Sequence, residues 1–212
     1  MFKYTLDNKR YHTLNYHYKT TFSTKVSKVS LNAGFTCPNL DGKVGYGGCI
    51  YCSKSGSGEY GGDKNDDLIT QFTKIKSIIQ KKWPTCKYIA YFQARTNTYA
   101  KVEVLKEKYE PILKLPDVIG LAIATRCDAI DEECLDYLTV LNKRTYLVVE
   151  LGLQTIHNST SKLINRCHTL ECFETVVKKL RSHNINVVVH IINGLPYETK
   201  DMMLETVKYL NN

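Results

Sequence analysis

Nothing in this sequence approaches the roughly 20 consecutive apolar residues that a membrane-spanning helix needs, so no membrane association is expected. The N-terminal stretch MFKYTLDNKRYHTLNYHYKTTF lacks an apolar centre, which argues against a secretory signal. A reducing, cytoplasmic setting follows, in which the eight cysteines are free thiols or metal ligands rather than a disulfide framework. Acidic residues are scarce at the start: residues 1–30 carry Lys3, Lys9, Arg10, Lys19, Lys25 and Lys28 against Asp7 alone. No G-x-G-x-x-G run follows the first predicted strand, which disfavours a dinucleotide-binding fold.

What is present begins with Cys37, Cys49 and Cys52, in the run CPNLDGKVGYGGCIYCS. A closed structural metal site wants four protein ligands, and neither a His nor a fourth Cys lies close by in sequence. Three thiolates suit three irons of a four-iron cluster and leave the fourth iron open to a substrate or cofactor. The C-x2-C pair alone also fits half a zinc site or a redox dithiol. The flanking glycines (Gly45, Gly47, Gly48, then Gly56, Gly58, Gly61, Gly62) favour the cluster, because a loop rich in glycine can wrap a bulky inorganic group.

The chain has 212 residues, 43% of them hydrophobic, and a net charge of +8, enough apolar content for one domain with a sizeable core. In the basic first 30 residues Tyr4, Tyr11, Tyr16 and Tyr18 are interleaved with the cations. Cations for phosphates and rings for bases suit a looped or single-stranded nucleic acid; a solvated basic arm whose tyrosines pack on the domain fits equally well. Residues 1–30 therefore read as an arm and residues 31–212 as the core. The other cysteines, Cys86, Cys127, Cys134, Cys167 and Cys172, fall in predicted elements or at their ends and read as small buried hydrophobes; their spacing gives no support to a second cluster.

Beyond the cysteine loop, strand and helix patterns alternate. Strands are expected over residues 25–35, 88–92, 118–125, 145–154 and 185–196, and helices over 66–82, 101–113, 131–143, 170–183 and 199–212. Five β-α units with near-continuous apolar strands imply an α/β fold, either a doubly wound sheet or a barrel. Polar residues collect after the strands: Cys37; Gln93, Arg95, Thr96 and Asn97; Thr125, Arg126 and Asp128; Glu150 and Gln154; His190, Asn193 and Gly194. That rim is where β/α barrels place their active sites. A sixth strand is not found, and a truncated or shortened chain is expected.

With these residues in view, the chain resembles the radical S-adenosylmethionine (SAM) superfamily, and within it the bacterial YhcC/YtqA-type branch related to the catalytic subunit of elongator. The stretches that carry the resemblance are KVSLNAGFTCPNLDGKVGYGGCIYCSKSGSG, YFQARTNTYA, IATRCDAI, VELGLQTIHNSTSKLINRCHT and HIINGLPYET. It implies a partial (β/α)6 TIM-like barrel lacking its sixth strand. It implies a [4Fe-4S] cluster on Cys37, Cys49 and Cys52, with SAM chelating the open iron and cleaved by one electron to a 5′-deoxyadenosyl radical. Tyr51 would lie beside the adenine. Gln93, Thr96 and Asn97 would meet the methionine amino group, and Glu150 and Gln154 the ribose and sulfonium. Arg166 would hold the methionine carboxylate, and Asn193, Gly194 and Leu195 would edge the adenine, although residues 193–196 alone read as a plain turn. Thr125, Arg126 and His190 join the cofactor set; His190 alone reads first as a core histidine, with a substrate-side acid/base as the alternative.

The sequence departs from the superfamily pattern in its long first cysteine spacing, in lacking Gly-Gly-Glu after the second strand, and in Cys127 where relatives often carry proline. No acetyltransferase signature is present. The resemblance and the basic arm together imply an enzyme modifying tRNA, at a wobble uridine, with flavodoxin or ferredoxin as electron donor. The alternatives are a radical SAM enzyme of a small metabolite and a zinc-stabilised RNA-binding module.

Overall fold

The structure is a computed structural model that describes residues 2, 8–56 and 58–211. Lys3, Tyr4, Asp7 and Asn212, all part of the expectations above, lie outside the described residues. Five parallel strands, β1 (Val26–Leu31), β2 (Lys87–Phe92), β3 (Val118–Thr125), β4 (Tyr146–Gln154) and β5 (Asn186–Ile191), form one sheet in the order β1-β2-β3-β4-β5. The helices are α1 (Leu14–Phe22), α2 (Leu68–Lys82), α3 (Val102–Leu113), α4 (Glu132–Asn142), α5 (Asn158–Leu163), α6 (Leu170–Ser182) and α7 (Lys200–Leu210).

The strand order settles which α/β fold this is. Parallel crossovers are right-handed, so stepping always in one direction puts every crossover helix on the same face. A doubly wound sheet would reverse direction at a switch point; this one never does. The result is an open, partial barrel. Alternate strand residues divide the two faces. Val29, Leu31, Tyr88, Phe92, Leu121, Ile123, Leu147, Val149 and Leu151 pack on Phe72 of α2, Leu105 and Tyr109 of α3, Leu138 and Leu141 of α4, and Phe173 and Leu180 of α6. Val26, Ile89, Ala122 and Val148 face the concave side instead.

Helix α1 closes the lower end of that concave side. It was not expected, since its sequence LNYHYKTTF has only Tyr18 buried and shows no apolar period. Thr13 caps it, accepting from the Tyr16 amide at 3.0 Å. Tyr18 packs on the four concave residues, with Phe22 and Tyr146 beside it. Tyr18 is thus a packing residue and is not free to stack on a base. The boundary drawn between residues 30 and 31 falls inside β1, so residues 26–30 belong to the sheet. Lys28 is in that stretch and points into the concave side, where it pairs with Glu150.

Candidate cofactor site at the strand ends

All three cysteines of the glycine-rich loop line a single cavity of about 480 Å³ at the C-terminal ends of the strands. The loop turns sharply before the C-x2-C pair, where Gly47 and Gly48 have φ of +77° and +76°. Side chains rarely adopt two such conformations in succession, so glycine is required here. A tight turn with Cys52 N donating to Cys49 O at 3.0 Å then brings the two thiols together. The thiol of Cys52, then the hydroxyl of Tyr51, then Arg126 and Asn39 pull Cys49 below the usual thiol range against its burial; the same contact and burial push Cys52 up.

The same cavity is lined by Tyr51, Gln93, Thr96, Thr125, Arg126, Glu150, Gln154 and His190. Arg126, buried at the end of β3, forks onto Asp128 with bonds of 2.8 and 2.6 Å and lies 4.0 Å from Cys49 Sγ. Thr125 is held by Thr98, its hydroxyl 2.6 Å away. Gln154, with φ +66°, ends β4 at the rim.

Five expected contacts lie elsewhere. Asn97 is fully buried and donates to Ala124 O at 2.9 Å, fastening β2 to β3. Arg166 is fully buried, its guanidinium bonded to the carbonyls of Leu153, Thr155 and His168, so its fork is already occupied by backbone. Asn193, Gly194 and Leu195 do not line the cavity; they form the turn after β5, with Gly194 at φ +84° and Leu195 buried. His190 is not a core histidine: its side chain is 44% exposed, lines the cavity and bonds Glu150 Oε2 at 2.9 Å. Cys167, expected at an element end and buried, is exposed in the loop before α6.

Sequence reasoning missed Tyr91, Lys54 and His168, which also line the cavity, and gave Lys28 another role. Lys28, Tyr91, Glu150 and His190 come from four strands and meet on the concave face. Glu150, with only 2% of its side chain exposed, pairs with Lys28 on one oxygen and His190 on the other. Tyr91 also bonds Glu150, and the Lys28 ammonium lies 4.2 Å from the Tyr91 ring centroid. The alternation in V-S-K-V-S-L was the available signal, since it puts Lys28 on the face opposite Val29 and Leu31. Cys127 Sγ lies 3.3 Å from His168 Nδ1, both buried. Burial first, then the Arg166 and Arg126 cations, hold His168 well below the usual imidazole range.

Burial pushes the Glu150 carboxyl up, but the His190 hydrogen bond and the Lys28 cation outweigh it and leave the group below its ordinary 4.5. Its folded-state value lies below the unfolded one. The stability it contributes is therefore present above pH 4.5 and is lost as pH falls through the lower folded value. Urea midpoints measured through that acid range should fall for the native chain and change less for Glu150→Gln; parallel profiles would refute the linkage.

Comparison with known proteins places this geometry. The pattern of the Radical SAM superfamily matches residues 45–210. The chain is 58% identical over 207 residues to the protein YtqA of Bacillus subtilis (strain 168), covering 98% of this chain and 64% of that one. It is 34% identical over 188 residues to the protein YhcC of Escherichia coli (strain K12), covering 88% and 60%. The chain thus spans somewhat under two thirds of the length of these relatives. Among solved structures, the archaeal Methanocaldococcus infernus Elp3 with an N-terminal deletion superposes with a TM-score of 0.60 at 20% identity, over 87% of this chain and 42% of that one. The coproporphyrinogen III oxidase HemN of Escherichia coli, a radical SAM enzyme, gives 0.52 at 14% identity, over 88% and 41%. These two likenesses establish the fold, a partial barrel of the radical SAM kind. The five-stranded parallel barrel, the cysteine loop at its rim and the matched pattern together mean that this chain belongs to the radical SAM superfamily, in the branch that includes YhcC and YtqA.

Proposed function

We propose that this chain is a radical SAM enzyme that holds a [4Fe-4S] cluster on Cys37, Cys49 and Cys52 and acts on tRNA in the cytoplasm. The observation that carries the cofactor reading is the convergence of the three thiols on one cavity at the strand ends. Three thiols with no fourth protein ligand in their loop suit a cluster with an open iron better than a closed zinc site. When bound, the cluster supplies the electron that cleaves SAM, and SAM supplies the 5′-deoxyadenosyl group that removes a hydrogen atom from the substrate.

The chain's own residues bind, orient and exclude water. Cys49, depressed by its neighbours, and Cys52 and Cys37 are the ligands. Tyr51, with its hydroxyl turned toward Cys49, would wall the adenosyl side. Gln93, Thr96, Thr125 and Gln154 would face the polar end of SAM, with the Arg126–Asp128 pair beside them. The Glu150–His190 pair lies deeper on the concave face, and His190 is the group placed to hold or move a proton of the substrate.

Support for tRNA comes from the rim, where Lys54 and Arg95 supply cations while Arg126 is paired with Asp128, and from the likeness in fold to Elp3. A small metabolite is the second reading, because a coproporphyrinogen III oxidase shares the fold. One experiment separates them. Protein reconstituted without oxygen and given SAM and dithionite should release 5′-deoxyadenosine, and its tRNA affinity should fall steeply between low and moderate salt. Affinity that is weak and flat with salt removes tRNA; the absence of 5′-deoxyadenosine under any condition removes the radical reading.

A further inference from the structure

Asn39 lies two residues after Cys37 and is fully buried. Its side-chain amide reaches in two directions at once. Nδ2 donates to the backbone carbonyl of Asn165 at 2.6 Å and approaches Cys49 Sγ at 3.5 Å. The short contact to a carbonyl fixes the amide's orientation, because the opposite flip would set two oxygens against each other. Nitrogen therefore faces the sulfur. The consequence is visible on the other side: Asn39 Oδ1 is buried with no hydrogen-bond partner. Such an orphan is destabilising, and buried polar atoms of this kind ask for an explanation.

The loop is shaped around this arrangement. A side chain at Gly45 would bring its Cβ within 2.3 Å of Asn39 Oδ1 and 2.9 Å of Cys167 Sγ, so the glycine leaves room for the amide. Asn165 grips the loop from the other side, its Nδ2 donating to Tyr46 O at 3.1 Å and Gly48 O at 2.8 Å. Holding the loop thus has its own residue. Two other polar groups face Cys49: the Tyr51 hydroxyl, and Arg126, which lies at 4.0 Å with its fork on Asp128, so that its charge is offset.

We infer that Asn39 is a positioning residue that donates an N–H to the Cys49 thiolate and thereby sets the reduction potential of the centre held by the three cysteines. The inference rests on the cluster reading. A donor on a ligating sulfur stabilises the reduced, more negative state, and hydrogen bonds to sulfur are among the terms that set cluster potentials. Removing the donor makes reduction harder without removing a ligand.

The test is a mediated redox titration of anoxically reconstituted protein, followed by electron paramagnetic resonance, with iron and sulfide measured first. Asn39→Leu, near in volume and without a donor, should retain its iron and shift to a more negative potential. The expected change is about tenfold in the one-electron reduction equilibrium, which is 59 mV. Asn39→Ser, one bond shorter, should shift the same way and serves if the leucine does not fold. Asn165→Ala loosens the loop but keeps the N–H on Cys49, and should leave the potential near the native value. An unchanged potential in the Asn39 variants, or an equal shift in Asn165→Ala, overturns the inference. Loss of iron from both Asn39 variants also overturns it, making Asn39 a loop-holding residue only. Native protein with neither iron nor sulfide brings down the cluster reading and this inference together.

Discussion

Replacing any one of Cys37, Cys49 or Cys52 by alanine should leave anoxically reconstituted protein colourless and abolish SAM cleavage, whereas Cys167→Ser should change neither. The native chain should carry about four irons and four sulfides, the content of one cubane cluster. Each variant should fall to background. Loss of a mere outer partner of a metal ligand typically costs 10–100-fold in affinity or activity, so loss of a ligand itself should exceed about a hundredfold. The three positions are expected to behave alike despite their unlike surroundings. Cys49 is buried, Cys37 half-buried and Cys52 exposed. A structural cysteine would make the buried position matter most; a shared ligand set makes all three matter equally. The control is apt because Cys167 is an exposed thiol on a neighbouring loop, bonded only to Asn165 among the described residues. Zinc in the native protein, with no visible absorption, would refute the cluster, since Zn2+ is a colourless d10 ion.

The second large effect concerns Arg166. If it held the methionine carboxylate, Arg166→Met would fold normally and bind SAM poorly. The structure leads to a different result. The guanidinium donates 2.6 Å to Thr155 O, 3.1 Å to His168 O and also to Leu153 O, with none of it exposed. Those carbonyls stand where β4 gives way to the α5 segment and where the chain returns toward α6, so the side chain ties the two together. Methionine would take this donor from the buried carbonyls of Thr155 and His168, at about 1–3 kcal/mol each, whereas Leu153 O keeps the Thr155 amide at 2.8 Å. Relief from desolvating the cation, which pulls Arg166 below its ordinary range, offsets part of that. A net loss of about 3 kcal/mol should lower Tm by roughly 10 °C in a chain of this size. Arg166→Lys should not rescue it, because one ammonium cannot replace a planar fork on three acceptors. An unchanged Tm with lost SAM affinity would restore the cofactor role.

How far the site could be read beforehand depended on the range of the interactions involved. Helix α2 was legible to within two residues because its signals are local: Asp67 caps it, accepting from Thr70 N at 2.9 Å, and Leu68, Phe72, Ile75 and Ile79 keep the helical period. Helix α4 was legible for the same reason, with Asp131 as its cap. Helix α1 was not, because it contributes Tyr18 to a surface built from four strands, and no pattern within nine residues encodes that surface. The strand-end residues were found because polar side chains interrupt apolar runs. Which of them face the cavity was not legible. Gln93, Thr96 and Asn97 lie within five residues of one another, yet Asn97 turns back to Ala124 O.

The sequence by itself determined the cysteine loop, the number of β-α units and the polar residues at their ends. Cysteine spacing, glycine content and apolar periodicity are all properties of neighbouring residues. Tertiary structure alone decided the rest: that the sheet curls one way, that Lys28 and His190 meet Glu150, that Arg166 serves backbone carbonyls, and that Asn39 faces Cys49. Each of these joins groups far apart in the chain, from 10 residues for Asn39 and Cys49 to 122 for Lys28 and Glu150, or comes from the order in which strands assemble. Burial then fixes such pairings, because a desolvated donor or acceptor must find its partner wherever the fold brings one.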